Sequence, residues 1–87
     1  MSDESVIEFP CAFPIKMMGR DTPAFRVTAR NLVEKHVGAV AEDAIKIKPS
    51  GKGNFVSITV TVTATSQQQL DDVYRDVSAH DDVLMAL

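Results

Sequence analysis

Apolar and hydroxyl-bearing residues alternate strictly between Val56 and Thr65. Because side chains at a period of two lie on opposite faces of a strand, this pattern predicts a strand with one apolar and one polar face. A sheet covered on both faces would be apolar throughout, so the predicted sheet is covered on one face only. The apolar set is Val56, Ile58, Val60, Val62 and Ala64, and the polar set is Ser57, Thr59, Thr61, Thr63 and Thr65.

Weaker alternation predicts three further strands. Two prolines limit regular strand in the segment 8–19 to its second half, where Phe13, Ile15 and Met17 face inward and Lys16 and Met18 outward. The segment 42–48 predicts a short strand before Pro49, and the segment 81–87 predicts a short closing strand. In the 42–48 strand the inward residues are Ile45 and Ile47, and the outward residues are Ala44, Lys46 and Lys48.

Two segments have the period and the start signals of amphipathic helices. Thr22 can cap a helix that begins at Pro23, runs to Val37 and stops at Gly38. Ser66 and Gln69 have the spacing of a capping box before a second helix that ends near His80. The predicted buried stripes are Phe25, Ala29, Leu32, Val33 and His36 in the first helix, and Leu70, Val73, Tyr74 and Val77 in the second. Arg30 and Glu34 are one turn apart and are expected to be solvated.

The predicted order is strand, helix, strand, strand, helix, strand. Both helices must cover the apolar face of the sheet, and right-handed crossovers leave few arrangements. The pattern therefore predicts an α+β ferredoxin-like βαββαβ two-layer sandwich, with a four-stranded antiparallel sheet, two helices on one face, and the first and third strands at its centre. Residues 1–7 are predicted to be a flexible N-terminus, and residues 8–87 to form a single domain.

Composition narrows the functional classes. The chain has 87 residues and a net charge of −3, with 45% hydrophobic and 24% charged residues, an ordinary globular balance. Eight of the nine Lys and Arg residues lie at or before Lys52, which leaves an acidic second half. This balance argues against non-specific nucleic-acid binding, which needs clustered cations. No membrane span, signal peptide or internal disulfide is expected, so we predict a cytoplasmic location.

The motifs that could carry catalysis are weak. Gly51-Lys52-Gly53 is followed by a strand and lacks the Ser or Thr of a P-loop, so it predicts a hairpin turn. The segment 19–26 has a superficial likeness to the phosphate loop of acylphosphatases, which would make Arg20 or Arg26 a phosphate ligand. His36, His80 and Cys11 have no partners at metal-ligand or nucleophile spacing. We therefore predict no enzymatic activity, no metal and no cofactor.

An RNA-binding module is an alternative, because the RRM has the same order of strands and helices. Its third strand carries aromatic residues that stack bases on the open face of the sheet. Here Phe55 is on that side, but Ser57, Thr59 and Thr61 follow it, and Phe13 is in the inward set. Nucleic acid is therefore not the expected partner.

The polar face of the sheet is the surface that this pattern leaves available. We expect it to carry lysines and hydroxyl residues, which solvate a sheet and can also meet a partner. The candidate partner-binding residues are Lys16, Lys46, Lys48, Ser50, Lys52 and Asn54.

Several segments together resemble the YbeD-like family of small bacterial proteins. The resemblance covers Glu8 to Leu87, with EFPCAFPIKMMG near the start, IKPSGKGNFVSITVTVTA in the middle and VLMAL at the end. It implies a cytoplasmic protein with the ferredoxin-like fold, similar to ACT domains, which bind small molecules and pair to regulate enzymes. It transfers no catalytic residues.

The expectation is thus a non-enzymatic regulatory or adaptor domain that forms a homodimer and binds a small metabolite or a protein partner. ACT domains bind amino acids at a glycine-bearing loop after the first strand, and Gly19 is at that position. The predicted ligand site is Gly19, Arg20, Asp21 and Thr22, where free N–H groups at a helix start could hold a carboxylate.

Overall fold

Two helices cover one face of a four-stranded sheet in the computed structural model, which describes residues 8–50 and 52–86. The prediction of a flexible terminus over residues 1–7 lies outside the described residues. The elements are β1 (Cys11–Arg20), α1 (Pro23–Val37), a 3₁₀ turn (Glu42–Ala44), β2 (Ile45–Pro49), β3 (Phe55–Ala64), α2 (Gln67–Ala79) and β4 (Met85–Ala86).

The sheet has the strand order β2-β3-β1-β4, with every neighbouring pair antiparallel. This confirms the ferredoxin-like sandwich and the central position of the first and third strands. The alternation in β3 is also confirmed, because its apolar set is buried beneath the helices. The rest of the core comes from Ile15 and Met17 of β1, Phe25, Ala29 and Val33 of α1, Leu70, Val73 and Val77 of α2, and the flanking Val40 and Val83.

Both helices begin where their capping residues predict. Thr22 Oγ1 accepts a hydrogen bond from the Phe25 N–H at 3.0 Å, with Pro23 at the first position, and Gly38 ends α1 at φ 84°. Ser66 Oγ accepts from the Gln69 N–H at 3.1 Å.

The capping box of α2 is only half formed. The Gln69 side chain does not return to Ser66: its Oε1 accepts from the Thr65 N–H at 2.8 Å, and its Nε2 donates to the His36 carbonyl at 3.1 Å. Gln69 therefore joins the start of α2 to the end of α1, a contact that local spacing does not show.

β1 is longer than predicted, since it begins at Cys11, before the alternation that starts at Phe13. The Met18 carbonyl accepts the Leu84 N–H at 2.8 Å, so backbone groups at even positions of β1 point toward β4. Within the described residues β4 pairs only with Met17 and Met18. Pro14 therefore lies where an N–H would have met no partner among the described residues, and the strand tolerates it.

The prediction for β2 was partly wrong. Glu42–Ala44 form the 3₁₀ turn, and the strand starts only at Ile45. Ile47 is on the helix side of the sheet, as predicted, but 41% of it is exposed because β2 is an edge strand.

Arg30 and Glu34 are partly exposed, but they also make contacts that their spacing does not predict. Glu34 accepts the Arg30 Nε at 3.2 Å and the Val40 N–H at 2.8 Å, and Arg30 also donates to the Val40 carbonyl at 2.9 Å. The hydrogen bond from Val40, followed by that from Arg30, lowers the pKa of Glu34. The side chains of Arg30 and Glu34 therefore anchor Val40, which lies in the connection between α1 and β2.

Candidate functional site

The face of the sheet opposite the helices, here called the open face, is arranged in cross-strand rows. Lys46 pairs with Thr59, which pairs with Lys16, and in the next row Lys48 pairs with Ser57, which pairs with Met18. Its side chains come from even positions of β1 and β2, odd positions of β3, and Met85. They are Ala12, Pro14, Lys16, Met18, Arg20, Lys46, Lys48, Phe55, Ser57, Thr59, Thr61, Thr63 and Met85.

Three lysines stand close together on this face. Adjacent strands are about 4.8 Å apart, so the backbones of Lys46 and Lys16 are separated by roughly 10 Å across β3. Lys48 follows Lys46 on the same side of β2, about 7 Å along the strand. Thr59 and Ser57 place hydroxyl groups between them.

The cations of the open face form no ion pair with any described residue. Lys16, Arg20, Lys46 and Lys48 are exposed, as is Lys52 in the adjoining turn. Every ion pair in the described ranges instead uses a cation of α1 or α2. These pairs are Arg26–Asp21, Arg30–Glu34, Arg30–Glu42, Lys35–Asp76, His36–Asp76 and Arg75–Asp72.

Most of the described acidic residues lie away from the open face. Among the described strand residues, the open face has no Asp or Glu, whereas the helices and the segments beside them carry every described acid except Glu8. Within the described ranges the charges are therefore separated between the two layers, although the chain has a net charge of −3. The helix-side acids are Asp21, Glu34, Glu42, Asp43, Asp71, Asp72, Asp76, Asp81 and Asp82.

A shallow, mostly apolar pocket of about 160 Å³ adjoins the lysines at the β2–β3 hairpin. Met18 and Phe55 are half-buried in it, and the Arg20 guanidinium lies 5.7 Å from the centre of the Phe55 ring. Its lining residues are Met18, Lys48, Pro49, Ser50, Phe55, Val56 and Ser57. Sequence analysis missed this pocket: the alternation places Phe55 and Met18 on the open face, but only the register between strands brings them together.

The predicted partner-binding residues occupy two places. Lys16, Lys46 and Lys48 are on the open face, and Ser50, Lys52 and Asn54 are exposed at its hairpin rim. Ser50 closes the hairpin, since its N–H donates to the Phe55 carbonyl at 2.8 Å, and the Asn54 carbonyl accepts the Asp21 N–H at 3.1 Å.

The predicted ligand loop, Gly19 to Thr22, has structural contacts of its own. The Thr22 hydroxyl already caps α1, and Asp21 pairs with Arg26 at 2.9 Å. A cavity of about 160 Å³ beside the loop is lined by Arg20, Thr22, Phe25, Leu84 and the acidic Asp81 and Asp82. Because two carboxylates flank it, this cavity is poorly suited to a carboxylate ligand. The ligand site stays a prediction.

The enzyme and RNA alternatives gain little from the geometry. Arg26 is engaged by Asp21, and the described residues hold no His, Cys, Asp or Glu group of metal-binding size. Phe13 faces the helices, with its ring edge-on to Tyr74 at 6.4 Å, so Phe55 is the one aromatic side chain that the described strands place on the open face. A base-stacking platform needs two or three aromatic side chains.

No helix in the described part of the chain is long and apolar enough to cross a bilayer.

Comparison with known proteins finds relatives over the whole domain. Residues 4–87 match the model of a family described as protein of unknown function (DUF493). A UPF0250 protein of Paraburkholderia phytofirmans is 44% identical over 85 residues, covering 98% of this chain and 96% of the relative. A UPF0250 protein of Chromobacterium violaceum is 44% identical over 89 residues and covers 100% of both chains.

One solved structure is similar in fold. The solution structure of protein HP0495 from H. pylori matches with a TM-score of 0.70 over 99% of this chain and 90% of that chain. The two sequences are 20% identical, so this likeness concerns the fold alone.

Proposed function

Since the chain belongs to the DUF493 family, whose description names no activity, we propose a function from its surface: a non-enzymatic adaptor or regulatory domain that binds an acidic protein partner through the open face. The observation that carries the proposal is the separation of charge. Lys16, Lys46 and Lys48 are unpaired among the described residues, while the cations of the helices are neutralised locally.

Clustered like charges repel one another in the free protein. Their mutual repulsion is relieved when a partner supplies carboxylates, so the cluster favours association with an acidic surface. Salt screens charges beyond roughly 8–10 Å, which means that such a face acts mainly at short range and selects the orientation of docking.

The shape of the face favours a macromolecule over a metabolite. Sites for small molecules are typically concave, about 300–1,000 Å³ in volume, and bury most of the ligand. The pocket on the open face has about 160 Å³. A partner that spreads over the lysine rows can use this surface, whereas a metabolite would remain largely in water.

The test compares two triple variants with the same change in net charge. The first, Lys16→Gln with Lys46→Gln and Lys48→Gln, neutralises the open face. The second, Arg26→Gln with Lys35→Gln and Arg75→Gln, neutralises helix cations and loses only exposed ion pairs of small energy. Tagged protein is recovered from its host, partners are identified by mass spectrometry, and the purified partner is titrated by calorimetry.

We expect the open-face variant to bind the partner about tenfold more weakly, because each of the three lysines contributes about 0.5 kcal/mol to the binding free energy. The helix variant should bind as the unsubstituted protein does, and circular dichroism checks that both fold. Equal affinity of the two variants would contradict the proposal, as would recovery of RNA in place of a protein.

A further inference from the structure

The apolar pocket on the open face lies directly beside the cations, and Lys48 contributes to both. We propose that the partner presents an extended acidic segment with one bulky apolar side chain, which seats between Met18 and Phe55 while flanking carboxylates pair with Lys46, Lys48 and Lys16. This inference rests on the proposed function and specifies the chemistry of the partner.

The volume of the pocket fits one side chain. An apolar cavity of about 150 Å³ can accommodate a benzene ring. The present pocket, at about 160 Å³, therefore matches a phenyl or branched aliphatic group. It has room for one such group and not for several side chains together.

Its walls are adaptable and partly exposed. Met18 is paired in register with Met85, which is 51% exposed, so apolar surface continues from the pocket onto β4. Methionine side chains are flexible and polarisable, and they fit varied apolar groups. Exposed apolar surface on an otherwise polar face marks a place where water is removed on binding.

The spacing of the lysines suits an extended chain. The pocket lies level with the row of Lys48, Ser57 and Met18, and the row of Lys46, Thr59 and Lys16 is two residues further along. In an extended peptide every second side chain is on the same side, about 7 Å apart. An acidic residue two positions before or after the apolar residue thus reaches the next row, depending on the direction in which the peptide lies.

The test uses synthetic peptides of defined sequence. The probe is acetyl-Asp-Ser-Asp-Ser-Phe-Ser-Asp-amide. One control has Ser in place of Phe and therefore the same charge, and the other has Lys in place of each Asp. Binding to the ¹⁵N-labelled full chain is followed at low salt by the chemical shifts of its amides.

We expect the Phe peptide to bind about fivefold more tightly than the Ser peptide and to shift the amides of Met18, Phe55 and Ser57. The Lys peptide should not bind. Ser57→Leu, which fills the pocket, should remove the advantage of Phe. Thr61→Leu is the matched control, because it places the same side chain on the same strand and face but outside the pocket, and it should leave the advantage intact.

The outcomes separate this inference from the proposed function. Equal binding of the Phe and Ser peptides, both weakened by neutralising the three lysines, would overturn the apolar anchor and leave acidic docking in place. The inference would be overturned if the Lys peptide bound, or if none of the peptides bound at millimolar concentration. The proposed function would still be tested by the partner recovered from the host. If Ser57→Leu unfolds the protein, Met18→Thr, which removes one wall, gives the same comparison.

Discussion

The backbone of Gly19 packs directly against two neighbours. A Cβ added at this residue would lie 2.5 Å from the Asp82 carbonyl oxygen and 2.7 Å from Cζ of Phe25. Phe25 is buried in the core, and the contacting atom of Asp82 belongs to the backbone, so an added methyl group would force the chain to shift. At this scale the glycine is explained by close packing between β1, α1 and the chain that enters β4, without a ligand.

We predict that Gly19→Ala lowers the free energy of unfolding by about 1–3 kcal/mol, the range for overpacking a core. Urea denaturation followed by circular dichroism measures it. The matched control is Gly53→Asn: Gly53 has φ 75°, no atom lies within 4 Å of its added Cβ, and Asn tolerates the left-handed region. This control should stay within about 0.5 kcal/mol of the unsubstituted protein. Equal stability of both variants would contradict the packing explanation.

At the scale of elements, a proline lies on each of two sheet edges, along β2 and along β1 beyond β4, that no described strand covers. Pro14 lies on the part of β1 beyond β4, and Pro49 ends β2. Because Ser50 donates to Phe55 across the hairpin, the adjacent Pro49 has its nitrogen directed outward, as Pro14 has. An edge strand that lacks a backbone N–H donor pairs less well with a strand of another chain. The two prolines also oppose a homodimer with one continuous sheet, although the homodimer itself stays a prediction.

We predict that Pro14→Thr promotes self-association, because it restores an outward N–H between those of Ala12 and Lys16 and completes a ladder on the β1 edge. Sedimentation velocity over a range of concentrations measures the association. Ala12→Thr adds the same residue to the same exposed edge without a new donor, and it should behave as the unsubstituted protein does. If the two variants sediment alike, the proline is not what protects this edge.

At the scale of the whole molecule, the two layers of the sandwich carry opposite charge. The described strand residues of the sheet side present cations without acids, and the helix side presents most of the described acids. Binding to a charged surface depends on the charge of the protein face that contacts it. Such a protein can therefore bind a surface whose charge has the same sign as the protein's own net charge.

We predict that the protein, although its net charge is −3, is retarded on a carboxylate cation-exchange resin at pH 7 and low salt. Neutralising Lys16, Lys46 and Lys48 to Gln should abolish the retardation. Neutralising Arg26, Lys35 and Arg75 removes the same charge from the helix side and should leave the elution volume almost unchanged. Retardation that falls equally in both variants would indicate that total charge, and not its placement, controls binding.

Local chemistry determined most of the elements. The period of two in β3, the caps at Thr22 and Ser66 and the stop at Gly38 act over a few residues, so they can be recognised without the fold. The strand order followed from the need to cover one apolar face with two helices. The alternation also identified the open face and its lysines.

Only the tertiary structure decided how distant side chains meet. The register brings Lys16 beside Thr59 and Met18 beside Ser57, although the members of each pair are about 40 residues apart in the chain. The tertiary structure also packs Gly19 against its neighbours and brings Glu34 to Val40. It places the helix cations in ion pairs, whereas the sheet lysines have no ion pair with a described residue. Periodicity specifies the face on which a side chain lies, whereas its neighbours on that face depend on strand pairing between segments far apart in sequence.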